Sequence, residues 1–457
     1  MWGILKNNKF LSLASNGITA VLGLVRFGLI ARVLPQEDLG IWTFFFMLFV
    51  LFEMVRTGLL SSVIVNKWGS ADTDNRKSEL TGAAWQLANR ATLWMVGLSI
   101  VLYFGLQAWG GNRAYLLSAL YFAPSMLLSL PQTVATWLLT ARMRFDSLLG
   151  LRLAFQIPNF LGAVLLFWGA PYLTFFGISG LTEVFWIHLV STIVVSAICV
   201  LMGWSGIRHW RKGNTKTRKE LLDFGIYSMG TLISTNLLKS SDTFLLMALR
   251  GPIAVAVYNI PERLLGILEI PVRSIVSATY PKLAYVQSHE PKKFNRLLHG
   301  ETFLLTTSML PVVVAVIVFA DYFVVWLGGE KYADSANVLR VFAVYTAFVP
   351  MDRYLGIAMD ALGKPEMNFK KVVVMLVVNL VGDLLVLWMG FGVLAVSVVS
   401  VFTFGTGVFY GYYLLGKSTS IRAIDMLRIG LQELSGYRKI FIDKINLRIF
   451  PKNRKNT

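Results

Sequence analysis

The chain has 457 residues, of which 55% are hydrophobic and only 15% are charged, and its mean hydropathy is +0.61. This composition excludes an ordinary soluble protein, because so few charged side chains cannot cover the surface of a domain of this size. The net charge of +18 requires no nucleic-acid partner, since basic loops beside the anionic headgroups of a membrane account for it.

Apolar stretches long enough to cross a bilayer, about 20 residues each, recur along the chain and predict a polytopic membrane protein. Backbone groups in lipid must bond to one another, so stretches of this length favour helices over the alternating strands of a membrane barrel. We therefore predict an all-α fold with about twelve transmembrane helices. They lie near residues 10–34, 39–65, 82–107, 114–140, 149–170, 183–204, 222–249, 253–286, 300–327, 335–361, 367–389 and 391–415.

The longest polar interruption in the middle of the chain separates the first six predicted helices from the last six. It predicts an N-terminal six-helix bundle at 1–204, a basic cytoplasmic linker at 205–221 and a C-terminal six-helix bundle at 222–415. Because six helices return each half to the same side, we expect the halves to be parallel repeats. The basic tail at 416–457 is either an amphipathic helix on the membrane surface or a partly ordered segment.

The distribution of lysine and arginine predicts the orientation. Most of the 43 lie in loops on one side of the predicted membrane, and only Arg32, Arg113, Arg250 and Lys331 lie in loops on the other. Because positive loops remain in the cytoplasm, we expect both termini to be cytoplasmic.

A second set of cations lies inside the apolar stretches themselves. A charged side chain at the centre of a bilayer costs roughly 2.5–3.5 kcal/mol on insertion scales, so several together indicate a water-filled interior or an anionic substrate. These cations are Arg26, Arg56, Arg90, Lys239, Arg263, Arg273, Arg340 and Arg353. The sequence therefore indicates a transporter of an anionic molecule.

In the first half, three arginines at staggered depths face only one deep carboxylate, Glu53. Guanidinium groups offer paired donors that match phosphate oxygens, so Arg26, Arg56 and Arg90 are candidates for binding a pyrophosphate or an acidic glycan. The alternative is that Arg56 pairs with Glu53 three residues earlier, while the other two reach the membrane surface or backbone carbonyls.

In the second half, cations and carboxylates are more balanced. Lys239 and Arg273 are further candidates for the anionic substrate, and Asp242 and Glu269 are candidates for coupling to Na⁺ or H⁺. Glu262, Glu269 and Arg273 share one helical face, so a purely structural network is the alternative for them. The deep carboxylates of this half are Asp242, Glu262, Glu269 and Asp383.

Signals for enzyme chemistry are weak. One cysteine, Cys199, and four histidines favour neither a disulfide framework nor a metal site. A Gly-Lys-Ser run, Gly416 to Ser418, directly follows the last predicted membrane segment rather than a strand, and no nucleotide-binding domain surrounds it. Transport is therefore expected to use gradients or substrate metabolism rather than an ATPase of the chain's own. We predict no catalytic residues, no metal and no cofactor.

A series of short motifs runs along the chain in a characteristic order. They are Asn16-Gly17 to Leu34-Pro35, Glu37-Asp38-Leu39-Gly40-Ile41-Trp42, Ser241-Asp242, Val257-Tyr258-Asn259, Tyr280-Pro281-Lys282-Leu283 and Ala361-Leu362-Gly363-Lys364-Pro365. In this order they resemble the polysaccharide-biosynthesis flippases of the multidrug/oligosaccharidyl-lipid/polysaccharide exporter superfamily, over about residues 8–415.

The resemblance implies two six-helix bundles around a central cavity, which move an undecaprenyl-pyrophosphate-linked oligosaccharide to the outer leaflet of a bacterial inner membrane by alternating access. The chain lacks the two additional helices usual in lipid II flippases, which favours repeat units of O-antigen, capsule or exopolysaccharide. The resemblance implies a lipid-linked oligosaccharide, a polysaccharide polymerase and glycosyltransferases as partners, while the basic loops predict anionic membrane lipids and the embedded carboxylates predict Na⁺ or H⁺.

Two rival functions remain. A cation-coupled multidrug antiporter of the same superfamily would favour a carboxylate-lined aromatic pocket over three arginines. A membrane-embedded oligosaccharide ligase or polymerase usually needs a large external loop, and the longest here, around 171–182 and 328–334, are short.

Overall fold

The computed structural model of the protein describes residues 8–69, 71, 73–175, 180–418 and 424–432. These residues form α-helices, two short 3-10 helices and connecting turns, and they include no β-strand. The predicted all-α fold is confirmed.

Fourteen long or medium helices follow one another among the described residues before residue 419. They are α1 (Asn8–Val33), α2 (Gln36–Gly69), α3 (Asp74–Ala108), α4 (Arg113–Ala141), α5 (Phe145–Phe175), α6 (Leu181–Leu201), α7 (Thr215–Arg250), α8 (Pro252–His289), α9 (Pro291–Val318), α10 (Ala320–Gly328), α11 (Ser335–Thr346), α12 (Val349–Ala361), α13 (Pro365–Trp388) and α14 (Val393–Ser418). The 3-10 helices are Ile207–Lys212 and Glu330–Tyr332. A further short helix lies at 424–432, within the predicted basic tail.

Every predicted transmembrane segment except two corresponds to one continuous helix. The segment at 300–327 is divided into α9 and α10 at Phe319, and the segment at 335–361 into α11 and α12. The second division has a clear cause, because Pro350 occupies the first turn of α12, where a missing N–H group costs nothing. Pro311 lies inside α9 without ending it.

Eight helices among the described residues are long and apolar enough to cross a membrane by length and composition. They are α2 to α6, α9, α13 and α14. The helices α7 and α8, with 36 and 38 residues, also match predicted spans but carry several of the embedded charges. The chain is a multi-pass membrane protein, and about twelve membrane-crossing segments fit its helices.

Contacts between residues divide the chain into two compact units. The first comprises Met1–Leu264, Asp321–Val338 and Leu380–Val396, and the second comprises Leu265–Ala320, Leu339–Asn379 and Ser397–Thr457. The six helices assigned to the N-terminal bundle all lie in the first unit, together with α7. The division into two six-helix bundles stays a prediction.

Small residues allow close helix contacts in the first unit. Gly40 of α2 lies against the backbone of Pro252 at the start of α8, and a Cβ atom at this glycine would overlap the Pro252 carbonyl group. On α3, Gly82 likewise lies against the backbone of His209 and Gly213. Such contacts between small residues are the usual way in which membrane helices approach one another.

The predicted polar linker is fixed to α3. The indole Nε1 of Trp85 donates to the carbonyl of Ser205 at 2.7 Å, and the Gln86 side chain donates to the carbonyl of Trp210 at 2.9 Å. These bonds satisfy linker carbonyls that would otherwise lack partners beside an apolar helix. The linker is therefore an ordered part of the first unit.

The start of α7 is held by ion pairs. Glu220 accepts from Lys67 at 3.1 Å and from Arg76 at 2.5 Å. These two cations hold the pKa of the Glu220 carboxyl below its ordinary value. The carboxylate consequently stays ionised at neutral pH and connects α7 to the ends of α2 and α3.

The second unit contains its own buried ion pair. Lys371 of α13 is 2% exposed, and its ammonium group donates to the Asp352 carboxylate at 2.6 Å and to the Asp352 carbonyl at 2.9 Å. Nearby helices are joined by a stacked pair of rings, Tyr345 and Phe404, with centroids 4.7 Å apart. The ion pair joins α12 to α13, and the two rings join α11 to α14.

Candidate anion-binding site

Two arginines of the first unit, Arg26 on α1 and Arg263 on α8, interact electrostatically. They are close enough to repel each other. The Nε and Nη1 groups of Arg26 are buried and have no hydrogen-bond partner among the described residues. No carboxylate of the described part of the chain forms an ion pair with either arginine. We call these two residues the Arg26–Arg263 pair.

Aromatic rings surround the pair. The guanidinium carbon of Arg263 lies 5.3 Å from the ring centre of Phe27 and 5.8 Å from that of Phe46. His188 on α6 lies near Arg26, is 1% exposed, and has no partner for either ring nitrogen among the described residues. The aromatic faces stabilise the cations partly through their quadrupoles, but they do not neutralise them.

The electrostatics of this arrangement favour an anion. Like charges repel strongly in the low dielectric of a membrane protein, and buried N–H donors without acceptors carry a desolvation cost. A pyrophosphate would accept from Arg26 and Arg263 together and would remove both costs, since guanidinium groups match phosphate oxygens in pairs. The pair is therefore suited to bind a phosphate or a carboxylate group.

Arg56 of α2 has a different environment. Its side chain has no exposed surface, and it forms an ion pair with Glu53. It also donates to the hydroxyl groups of Thr92 and Ser129 at 2.9 Å and of Thr133 at 3.0 Å. We call these residues the Arg56 network. They match the internal ion pair that the sequence left open as the alternative, and they leave only Nε of Arg56 without a partner.

Arg90 lies on an exposed face of α3. The residues three and four positions further on, Leu93 and Trp94, are 53% and 82% exposed, and Val101 on the same face is 69% exposed. A face of exposed large apolar side chains on a membrane helix is typical of contact with lipid. The structure does not bring Arg90 together with Arg26 or Arg56.

The remaining candidate cations have different surroundings. Lys239 is exposed on α7, three residues before Asp242, and takes part in a polar or electrostatic contact. In the second unit, Arg273 lies 3.9 Å from the Glu269 carboxylate, and Arg353 lies 3.8 Å from it. Glu269 is only 14% exposed. Two arginines therefore already compensate the charge of this candidate coupling residue.

Asp242 of α7 lies next to a second buried carboxylate, Asp383 of α13. Asp242 accepts a hydrogen bond from the hydroxyl of Tyr258, and the Ser241 hydroxyl lies 3.3 Å from it. Asp383 is 0% exposed, and neither of its oxygens has a hydrogen-bond donor among the described residues. Two adjacent buried carboxylates cannot both remain charged without a proton or a cation between them. This arrangement is suited to take up H⁺ or Na⁺.

Sequence reasoning did not select Arg263 or Asp383 as site residues. Arg263 was counted among the cations of the second half, where carboxylates are more numerous, and the adjacent Glu262 does not face it because neighbouring residues on a helix point in different directions. Asp383 lies far from Asp242 in the chain, and only the packing of α7 and α13 brings the two carboxylates together. A helical-face analysis of α8 would have separated Arg263 from Glu262.

Two protein-family models match parts of the chain. A family model described as "Polysaccharide biosynthesis protein" matches residues 5–287, and a model named MatE matches residues 228–385. A protein of Shigella flexneri that carries an O-antigen transporter assignment is 25% identical over 154 residues. That alignment covers 34% of the chain and 36% of the relative, so the chain matches only about a third of that relative's length.

Solved structures share the fold over most of the chain. The structure "Lipid II flippase MurJ, inward closed conformation" has a TM-score of 0.71 at 16% identity, and covers 94% of this chain and 92% of its own. An inward-facing multidrug resistance MATE family transporter of the MOP superfamily has a TM-score of 0.69 at 15% identity, with 87% and 95% coverage. At these identities the likeness concerns the fold. The match to the first family model extends over more than half of the chain, and the chain therefore belongs to the polysaccharide biosynthesis protein family.

Proposed function

We propose that the chain is a flippase that moves undecaprenyl-pyrophosphate-linked oligosaccharide repeat units across the bacterial inner membrane by alternating access. The repeat units serve the synthesis of O-antigen, capsule or exopolysaccharide, and both termini of the chain are cytoplasmic. The observation that carries this proposal is the Arg26–Arg263 pair, two adjacent cations without a carboxylate among the described residues. A pyrophosphate supplies the negative charge and the acceptor oxygens that the described surroundings of this pair do not provide.

The pair binds the pyrophosphate, and the neighbouring residues position it. Phe27 and Phe46 lie against Arg263 and restrict the directions in which its guanidinium group can point. The Arg56 network contributes rigidity, because its side-chain bonds join α2 to α3 and α4. The glycosyltransferases that assemble the repeat unit act before this step, and the polymerase acts after it.

Coupling to a cation is assigned to Asp242 and Asp383. When one proton or Na⁺ is bound between them, the charge of the two carboxylates falls to a level that a buried site tolerates. Release of the cation restores the repulsion and favours a different packing of α7 and α13. The candidate Glu269 is less suited to this role, because Arg273 and Arg353 neutralise it.

The test measures lipid-linked oligosaccharide on the cytoplasmic side of cells that lack the protein, in a strain known to make the glycan. Accumulation that is relieved when the wild-type copy is restored supports the flippase. A matched strain that produces an inactive glycosyltransferase controls for general effects on the membrane. Absence of accumulation contradicts the proposal.

A cation-coupled antiporter for small molecules is the second candidate. The MatE match over residues 228–385 favours it, because this range includes Asp242 and Asp383. Expression of the chain in a dye-sensitive strain separates the two functions. Increased resistance to cationic dyes without any change in lipid-linked oligosaccharide supports the antiporter.

A further inference from the structure

An open cavity of about 390 Å³ lies between the last turns of α8 and the first turns of α9, within the second unit. Its polar lining consists of Lys282 on α8 and of Lys293, Arg296 and Glu301 on α9. The cations of the lining exceed its carboxylates, so the cavity has a positive potential. None of these residues belongs to the Arg26–Arg263 pair or to the carboxylate pair described above.

The cations are accessible. The side chains of Lys282 and Lys293 are 61% and 71% exposed. Lys282 lies 3.4 Å from Glu301 across the cavity, and Lys293 forms an ion pair with Glu290, which is not part of the lining. Such exposed ion pairs are weak, so an incoming anion can replace the carboxylates.

The cavity continues into an apolar surface. Leu297 and Leu304 line it on the same face of α9 as Lys293 and Arg296. Leu304 is 41% exposed and lies eight residues beyond Arg296, which is about 12 Å along the helix. Because α9 is apolar enough to cross a membrane by length and composition, we expect this surface to lead from the headgroup region towards the hydrocarbon.

The cavity has a cationic end and an apolar wall, and this combination fits an amphiphile with an anionic headgroup. Lysine ammonium groups act as compact point charges towards phosphate, and arginine adds paired donors. Basic pockets between membrane helices on the cytoplasmic side are typical sites for phospholipid headgroups. The basic end of this cavity lies at the side that the charge distribution predicts to be cytoplasmic.

We propose that this cavity binds the phosphate headgroup of an anionic phospholipid from the cytoplasmic leaflet. Lys282, Lys293 and Arg296 surround the phosphate, and the acyl chain lies along Leu297 and Leu304. Glu301 holds Lys282 in the absence of lipid and competes with the phosphate for it. The site is independent of the transported molecule, because its lining shares no residue with the Arg26–Arg263 pair.

The experiment measures binding of short-chain phosphatidylglycerol to the purified full chain in a neutral detergent, by native mass spectrometry. The double variant Lys293→Gln/Arg296→Gln removes two cations of the lining. Lys292→Gln is the matched control, because Lys292 is exposed on the same helix and is not part of the lining. Thermal unfolding of each variant shows that it is folded.

We expect the double variant to bind phosphatidylglycerol at least about tenfold more weakly, since two charge-assisted contacts are lost. Lys292→Gln is expected to bind as the wild type does. Glu301→Gln is expected to bind more tightly, because the competing carboxylate is removed. Phosphatidylcholine, which has the same chains and no net charge, is expected to bind weakly to all variants.

Three outcomes overturn the proposal. The first is equal binding of phosphatidylcholine and phosphatidylglycerol to the wild type. The second is an equal loss in Lys292→Gln and in the double variant. The third is that glycerol phosphate, which has no acyl chain, binds as tightly as the lipid, which assigns the cavity to a soluble phosphate instead. Because binding is measured without transport, each outcome leaves the proposed flippase activity to its own test.

Discussion

The Arg26–Arg263 pair and the Arg56 network present the same chemical group within predicted membrane helices, but their surroundings differ. Arg56 has an ion pair with Glu53 and several hydroxyl acceptors, so its charge is compensated inside the protein. Arg26 has an arginine beside it and two buried donors without acceptors. The depth of an arginine within a helix therefore does not separate a substrate-binding role from a structural one. The acceptors and charges around its guanidinium group are the better guide.

The largest effect is expected from Arg56→Ala. This change leaves Glu53 without its cation, and breaking a buried ion pair from one side costs about 3–5 kcal/mol. We expect a strong loss of folded protein after detergent extraction, measured by size-exclusion chromatography and thermal unfolding. The double variant Glu53→Gln/Arg56→Met removes both charges and is expected to recover much of the stability. An Arg56→Ala protein as stable as the wild type would contradict a structural role for the network.

Arg26→Ala and Arg263→Ala are each expected to reduce transport without a loss of stability. Each removes a charge-assisted contact to the substrate worth about 1.5–3 kcal/mol, so transport falls roughly tenfold to a hundredfold. Thermal stability stays the same or rises, because the repulsion between the two cations is relieved. Transport is measured as the clearance of lipid-linked oligosaccharide from the cytoplasmic side, with membrane levels of the protein as the control. Normal transport in both variants would contradict the assignment of the pair.

Asp383→Asn tests whether the carboxylate pair, Asp242 and Asp383, couples transport to a cation. An amide can neither be titrated nor provide a charge for Na⁺, so transport is expected to lose its dependence on pH or on Na⁺. Glu269→Gln is the matched variant in the second unit, and it is expected to keep the dependence because Glu269 is paired with arginines. The measurement is transport at several pH values and Na⁺ concentrations. Loss of the dependence in Glu269→Gln alone would reverse the assignment.

The smallest effect is expected from Arg90→Gln. Substitutions at exposed positions without partners usually change stability by no more than about 0.5 kcal/mol, so transport is expected to stay within roughly twofold of the wild type. The same clearance assay, with Arg26→Ala in parallel, provides the measurement. A loss as large as that of Arg26→Ala would show that Arg90 faces the substrate after all.

The positions of most helices could be predicted, because a bilayer imposes one length and one composition on each segment that crosses it. The breaks at Phe319 and before Val349 were harder to place, since neither interrupts the apolar pattern. The order of the short motifs also predicted the family, and the family match over residues 5–287 confirms it.

The candidate site was predictable only in part. Arg26 was selected because it is a cation within an apolar helix, and in the structure two of its buried donors have no hydrogen-bond acceptor among the described residues. Arg56 and Arg90 satisfied the same criterion, and the structure places one in a hydrogen-bonded network and the other on an exposed apolar face. The predicted interfacial helix of the tail falls only partly within the described residues, which include its short segment at 424–432.

The sequence by itself determined that the chain is an all-helical membrane protein with cations inside its helices, because hydropathy and charge are properties of the residues and need no partner. Only the tertiary structure decided which of these cations stand together without compensation. Arg26 and Arg263 lie on helices far apart in the chain, as do Asp242 and Asp383, and the strength of a charge interaction depends on distance and burial rather than on sequence separation.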